Sequence, residues 1–233
     1  MNLLGVKAIS FKVRDKVLFL LIAITVGFTS CRKTDEEPIV EGELKFKVVN
    51  AVEGSTPQDF YQNDVKITTK SIAYGEVSDR LTLQSGTSQL LTKNSGSQEV
   101  TSSGSVRLYK DVNYTVFFIK NLAGNFEVVG YPADNVLPPT GRAGLRFLNL
   151  GRHLKQNLRI SLASGSVTQT GLAFGYHTNY GSFDPSQEIR FSVGDATTYG
   201  TIPSGTFEAN KIYTIWFDST DETTVKYHVV QEN

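Results

Sequence analysis

The sequence is poor in the residues that build the commonest functional sites. It has 233 residues with one cysteine, one methionine, one tryptophan and three histidines. A lone cysteine excludes an internal disulfide framework and a thiolate-rich metal site. His153, His177 and His228 have no i, i+4 spacing, so no zinc site is expected, and no cofactor. No serine lies in G-x-S-x-G, the turn that exposes a hydrolase nucleophile, and no glycine-rich phosphate loop is present. Long apolar runs are missing too. Val17 to Gly27 is uncharged and spans 11 residues, about half of the ~20 needed to cross a bilayer. Outside it, no stretch of ten or more residues carries a helical apolar stripe.

That short apolar run follows Lys7, Lys12, Arg14 and Lys16 and precedes Thr29, Ser30 and Cys31. A basic n-region, a short h-region and small residues at a cut are the three parts of a secretory signal. Phe28-Thr29-Ser30-Cys31 resembles the lipobox of bacterial lipoproteins, in the looser form common in Bacteroidetes, with Phe28 where Leu is usual. The resemblance implies cleavage before Cys31 and lipidation of its sulfur, so residues 1-30 are expected to be a lipoprotein signal peptide. Residues 31-43 then form a lipidated tether, because Arg32 to Pro38 lacks apolar periodicity. Its acidic cluster resembles the signal that sends such lipoproteins to the outer face of the outer membrane; a plain solvated linker, leaving the protein on the periplasmic face, is the alternative. Past the leader, 19 basic residues face 22 acidic ones. A net charge near −3 gives no reason to expect nucleic acid as a partner.

The remainder is self-similar. Lys47-Val48-Val49-Asn50 recurs as Arg146-Phe147-Leu148-Asn149, Ala73-Tyr74-Gly75 as Ala173-Phe174-Gly175, and Tyr114 to Phe118 as Tyr213 to Phe217, at offsets of 99, 100 and 99. Two units are expected, 44-135 and 143-233, joined by a 136-142 linker in which Pro138 and Pro139 cannot continue a ladder. Each unit alternates with period two. Leu44, Phe46 and Val48 share one face of an opening strand. Tyr114, Val116 and Phe118 oppose Phe117 and Ile119 on a late strand, which predicts a central strand covered on both sides. Further strands are expected at 65 to 69, 81 to 83, 89 to 92, 106 to 109 and 126 to 129, then at 158 to 162, 189 to 193, 199 to 202 and 226 to 230, with Ser95-Gly96-Ser97 and Ser164-Gly165-Ser166 at hairpin tips. The fold class is therefore all-β, two tandem immunoglobulin-like sandwiches. Tyr114 and Tyr213 are placed as tyrosine corners, hydroxyls tied to nearby backbone.

Val48 to Ala51, Ile72 to Glu76, Tyr114 to Val116 and the run from Pro138 to Asn149 together resemble the DUF4397 family, a secreted and often tandem β-domain of unknown function. The resemblance runs over 44 to 233 and brings no catalytic signature with it. Arg152-His153-Leu154-Lys155 stands where the family often has an Asp-rich segment. Asp218, Asp221 and Glu222 cluster in a turn that could hold calcium, although exposed turn carboxylates are more often simply solvated. Tyr176, His177, Tyr180 and Phe183 are the candidate ligand-binding residues, since rings beside hydrogen-bonding side chains can stack on a sugar. The function expected is a non-catalytic envelope module that binds glycan, matrix or an envelope protein, or acts as a spacer. A hydrolase of envelope or host polymers is the alternative.

Overall fold

A computed structural model describes residues 40–133 and 135–233. The signal peptide, Cys31 and all but the end of the tether lie outside the described residues. The elements are strands throughout: β1 Glu43–Asn50, β2 Gln58–Gln62, β3 Val65–Lys66, β4 Leu81–Gln84, β5 Gly86–Asn94, β6 Val100–Leu108, β7 Asn113–Lys120 and β8 Phe126–Ala133. The second set is β9 Ala143–Asn149, β10 Leu158–Leu162, β11 Val167–Leu172, β12 Gly181–Phe183, β13 Ile189–Val193, β14 Gly200–Ile202, β15 Ile212–Ser219 and β16 Val225–Gln231. Four four-stranded sheets result, in orders β3-β2-β5-β6 and β4-β1-β7-β8, then β12-β9-β15-β16 and β11-β10-β13-β14. The two halves are sandwiches of the same topology, each with a parallel pair at its centre, β1 with β7 and β9 with β15.

Alternation along these central strands sends side chains into three cores. Phe46, Val48, Val116 and Phe118 fill the first sandwich, and Leu145, Phe147, Ile215 and Phe217 fill the second. The residues between them point the other way. Val49, Phe117, Ile119, Leu148, Trp216 and Val230 form a third core where the two inner sheets pack back to back. The stack is thus four sheets deep, and β1, β7, β9 and β15 are covered on both faces. This is why Val116 to Ile119 reads as an unbroken apolar run.

The chain reversals that hold this stack are built from matched hydrogen bonds. Buried Asn50 donates its amide to the Ile72 carbonyl (3.1 Å) and accepts from the Val52 N–H (3.0 Å). Asn149 does the same to the Leu172 carbonyl (2.8 Å) and from the Gly151 N–H (2.8 Å). The Gly75 and Gly175 amides, both at positive φ, reach the Asn50 and Asn149 carbonyls at 2.9 and 2.7 Å. A Cβ at either glycine would be strained, so both turns require glycine. Tyr114 and Tyr213 accept from the N–H groups five residues upstream, at 3.3 and 3.1 Å, the tyrosine-corner geometry expected. Three strands escaped the periodicity: β2, with consecutive buried residues, β11, mostly exposed, and the three-residue β12.

Candidate functional site

The surface between the two inner sheets carries a set of polar contacts arranged about an approximate two-fold axis. The Lys47 ammonium donates to the Gln231 carbonyl, and at the matching place Arg146 Nη1 donates to the Pro132 carbonyl. Such reciprocal contacts, residue i on j and its counterpart on i's partner, mark an isologous interface. On the axis Phe117 and Trp216 meet edge to face with ring centroids 6.1 Å apart. Beside them Thr115 and Thr214 both donate to Glu232, at 2.7 and 2.5 Å. Arg146 and Glu232 are each 2% exposed at the side chain and lie 3.7 Å apart, and Arg146 Nη2 is 2.9 Å from Thr214 Oγ1. Burial lowers the Lys47 pKa, with Glu232 opposing the shift.

At another part of this surface Tyr74, Asp218 and His228 converge. The Tyr74 hydroxyl donates to Asp218 Oδ2 and lies 3.3 Å from His228 Nε2, which is itself 3.4 Å from Asp218 Oδ1. Trp216 stacks on the His228 ring at 3.9 Å. Burial, then the bond to Asp218, pushes the Tyr74 hydroxyl well above the usual phenol range. Asp218 Oδ1 is buried and accepts no hydrogen bond. Asp221, expected beside it, goes elsewhere: its Oδ1 accepts from the Thr223 and Thr224 N–H groups, at 2.8 and 2.7 Å, and caps the β15–β16 turn.

The four residues picked from the sequence divide between two faces. His177 and Tyr180 lie on the interface side. The His177 ring meets Tyr131 edge-on at 5.3 Å, and Tyr180 bonds Thr214 Oγ1 at 3.1 Å while Arg146 lies over its ring at 4.7 Å. With Pro132, Ala133 and Asn179 they border a hollow of about 490 Å³. Tyr176 stands outside it, 69% exposed. Phe183 points into the second sandwich, edge-on to Phe147 at 5.7 Å, and is a core residue of that sandwich. Phe174, which matches Tyr74 in the first unit, packs against the interface core as Tyr74 does. Arg146 and Glu232 were not singled out from the sequence, and Asp218 only as part of an acidic turn. For Arg146 and Asp218 the available signal was a charge inside a strand apolar on both faces, which has to find a partner.

Residues 45–156 match the sequence profile of DUF4397, a domain of unknown function, from within β1 to just past β9. Through this segment the chain is similar to the DUF4397 family. The profile therefore spans the first sandwich and the opening strand of the second, and leaves Tyr176 to Phe183 beyond it. No curated protein sequence matches the chain. Among solved structures, the crystal structure of CBMbc, family CBM26, from Eubacterium rectale Amy13K in complex with maltoheptaose is 11% identical over 79% of this chain and 96% of that one. Its TM-score of 0.26 is too low for that likeness to say anything about this chain's ligand.

Proposed function

We propose that this protein is a non-catalytic recognition module of the cell envelope, held at the outer membrane by a lipid on Cys31 and binding glycan through the turn around Tyr176. The observation that carries the reading is an exposed ring on a fixed turn. Tyr176 is 69% exposed, yet its N–H donates to Ala173 at 3.1 Å and its carbonyl accepts from Asn149 at 3.1 Å. The Tyr131 hydroxyl also donates to the Gly175 carbonyl at 3.0 Å. A ring carried on a backbone fixed before any ligand arrives spares the ordering of the turn when it stacks against a sugar face. His177 and Asn179, both exposed, stand within three residues to supply hydrogen bonds.

A glycan array with the exported part, compared with Tyr176→Ala and Asn179→Ala, tests this. Loss of about tenfold in affinity in Tyr176→Ala, with folding intact, supports the turn as the contact. Equal binding by both variants removes it. Turnover of a polymer by purified protein would favour the hydrolase instead. Membrane fractionation of Cys31→Ala tests the anchor, and retention at wild-type mobility would rule it out.

A further inference from the structure

A cavity of about 470 Å³ opens at one rim of the second sandwich, between the segment joining β13 to β14 and the β15–β16 turn. It forms because the β13–β14 ladder stops at the Phe191–Gly200 pair. Ser192 and Val193 have no β14 partner, and the chain swings out through 194–199 before it returns. The volume lies within the roughly 300–1,000 Å³ of small-molecule sites.

Both sides of the opening are held in place. On one, the Gly194 N–H donates to the Asn157 carbonyl at 2.8 Å and Arg159 pairs with Asp195 at 3.0 Å. The Arg190 guanidinium lies over the Tyr199 ring, 4.6 Å from its centroid. Tyr199 borders this cavity and also a hollow of about 250 Å³ on the outer face of the sheet, whereas Arg190 borders the outer hollow alone. The guanidinium therefore covers the ring from the outer side and leaves its cavity side open, with the residue 49% exposed. Opposite stand Thr223 and Thr224, on the turn that Asp221 caps.

The hydrogen-bonding sense of the wall selects the ligand. The Thr223 hydroxyl donates to Asp221 Oδ1 at 3.1 Å and the Ser192 hydroxyl to the Gly194 carbonyl at 3.3 Å. Bonds from Thr224 and Thr223 hold the Asp221 carboxyl well below the usual carboxylate range, so at neutral pH it stays an acceptor. Both hydroxyl protons are thus committed within the protein, and what Thr223 and Ser192 still offer is lone pairs. A ligand has to donate to them. An inorganic anion would meet acceptors, an acyl chain would leave them unsatisfied, and an ammonium ligand would face Lys155, the one charged side chain in the wall. Phe191, Val193, Val225 and the Tyr199 ring add apolar surface. A sugar ring answers both demands, with hydroxyls to donate at its edge and a C–H face to lay on an aromatic ring.

We propose that this cavity binds a neutral pyranose unit of a glycan, its C–H face on Tyr199 and its hydroxyls donating to Thr223 and Ser192. The site goes beyond the Tyr176 turn, no residue of which lines it, and is independent of that turn.

The experiment is a calorimetric titration of the exported part carrying Tyr176→Ala, which silences the turn, with maltose, cellobiose, galactobiose, mannobiose, decanoate and inorganic phosphate. The expected result is saturable binding of at least one neutral disaccharide with a Kd near or below about 1 mM, and none of decanoate or phosphate. Adding Tyr199→Ala should weaken it about tenfold or more, and Thr223→Val, which keeps the shape and removes the acceptor, about threefold or more. Absence of disaccharide binding overturns the proposal, including the case in which the wild type binds and Tyr176→Ala does not, which would leave the turn as the contact. So does decanoate or phosphate binding as tightly, or full affinity in the folded Tyr199→Ala variant.

Discussion

The two sandwiches agree where the backbone needs support and differ where they face each other. Asn50 and Asn149 make the same pair of bonds, Tyr114 and Tyr213 the same corner, and Ser78 and Thr178 accept from the Val48 and Phe147 N–H groups, both at 3.0 Å. At the interface, Lys47 corresponds to Arg146, Ala133 to Glu232, Ile119 to Asp218 and Tyr131 to Val230. A backbone reversal has the same unpaired N–H and C=O groups in each copy and so needs the same side chains twice. A two-fold axis instead brings both copies to one place, where a single acid serves both: Glu232 accepts from Thr115 and Thr214 together.

The largest effect is expected where the copies differ most. Glu232→Ala leaves the Arg146 guanidinium buried and unpaired and should cost about 3–5 kcal/mol in denaturant unfolding. Replacing both as Arg146→Met with Glu232→Leu should recover most of it; an equally large loss in the double variant would mean that the pair is not the cause. Where the copies agree, Asn50→Ala and Asn149→Ala should each cost about 1–3 kcal/mol, and by equal amounts. A marked inequality would show that one sandwich depends less on this bond. Tyr114→Phe and Tyr213→Phe, which delete the corner hydroxyls, should cost about 0.5–1.5 kcal/mol apiece in the same assay.

A smaller, pH-dependent difference follows from Tyr131, whose counterpart Val230 does not titrate. Burial pushes the Tyr131 hydroxyl up to about 12, against the pull of Arg146. Its folded pKa lies above the unfolded value near 10, so its contribution is complete below pH 10 and is lost as pH rises toward 12. Tyr131→Phe should flatten stability over that window, with Tyr74 still contributing, and an unchanged slope would refute the assignment. Tyr176→Ala should shift stability by no more than about 0.5 kcal/mol, because an exposed ring buries little surface.

Some of this was readable residue by residue. Leu44, Phe46 and Val48 alternate because a strand has period two, and Phe117 and Ile119 announced a second covered face by being apolar where a solvated face would be polar. Phe183, named among the candidate contacts, packs inward through the pairing of β12 with β9, which alternation along the strand does not specify. Arg146 and Glu232 lie 86 residues apart in sequence, and nothing local couples them.

The sequence by itself determined the all-β class, the strand periodicity, the polar side chains at each reversal and the tyrosine corners, because these depend on interactions within a few residues or on the two-residue period. Only the tertiary structure decided what the second face of β1, β7, β9 and β15 packs against. The same apolar pattern would suit a membrane, a partner or another sheet. Here it is the other sandwich, and that choice alone places Asp218 beside Tyr74 and gives Glu232 two threonines.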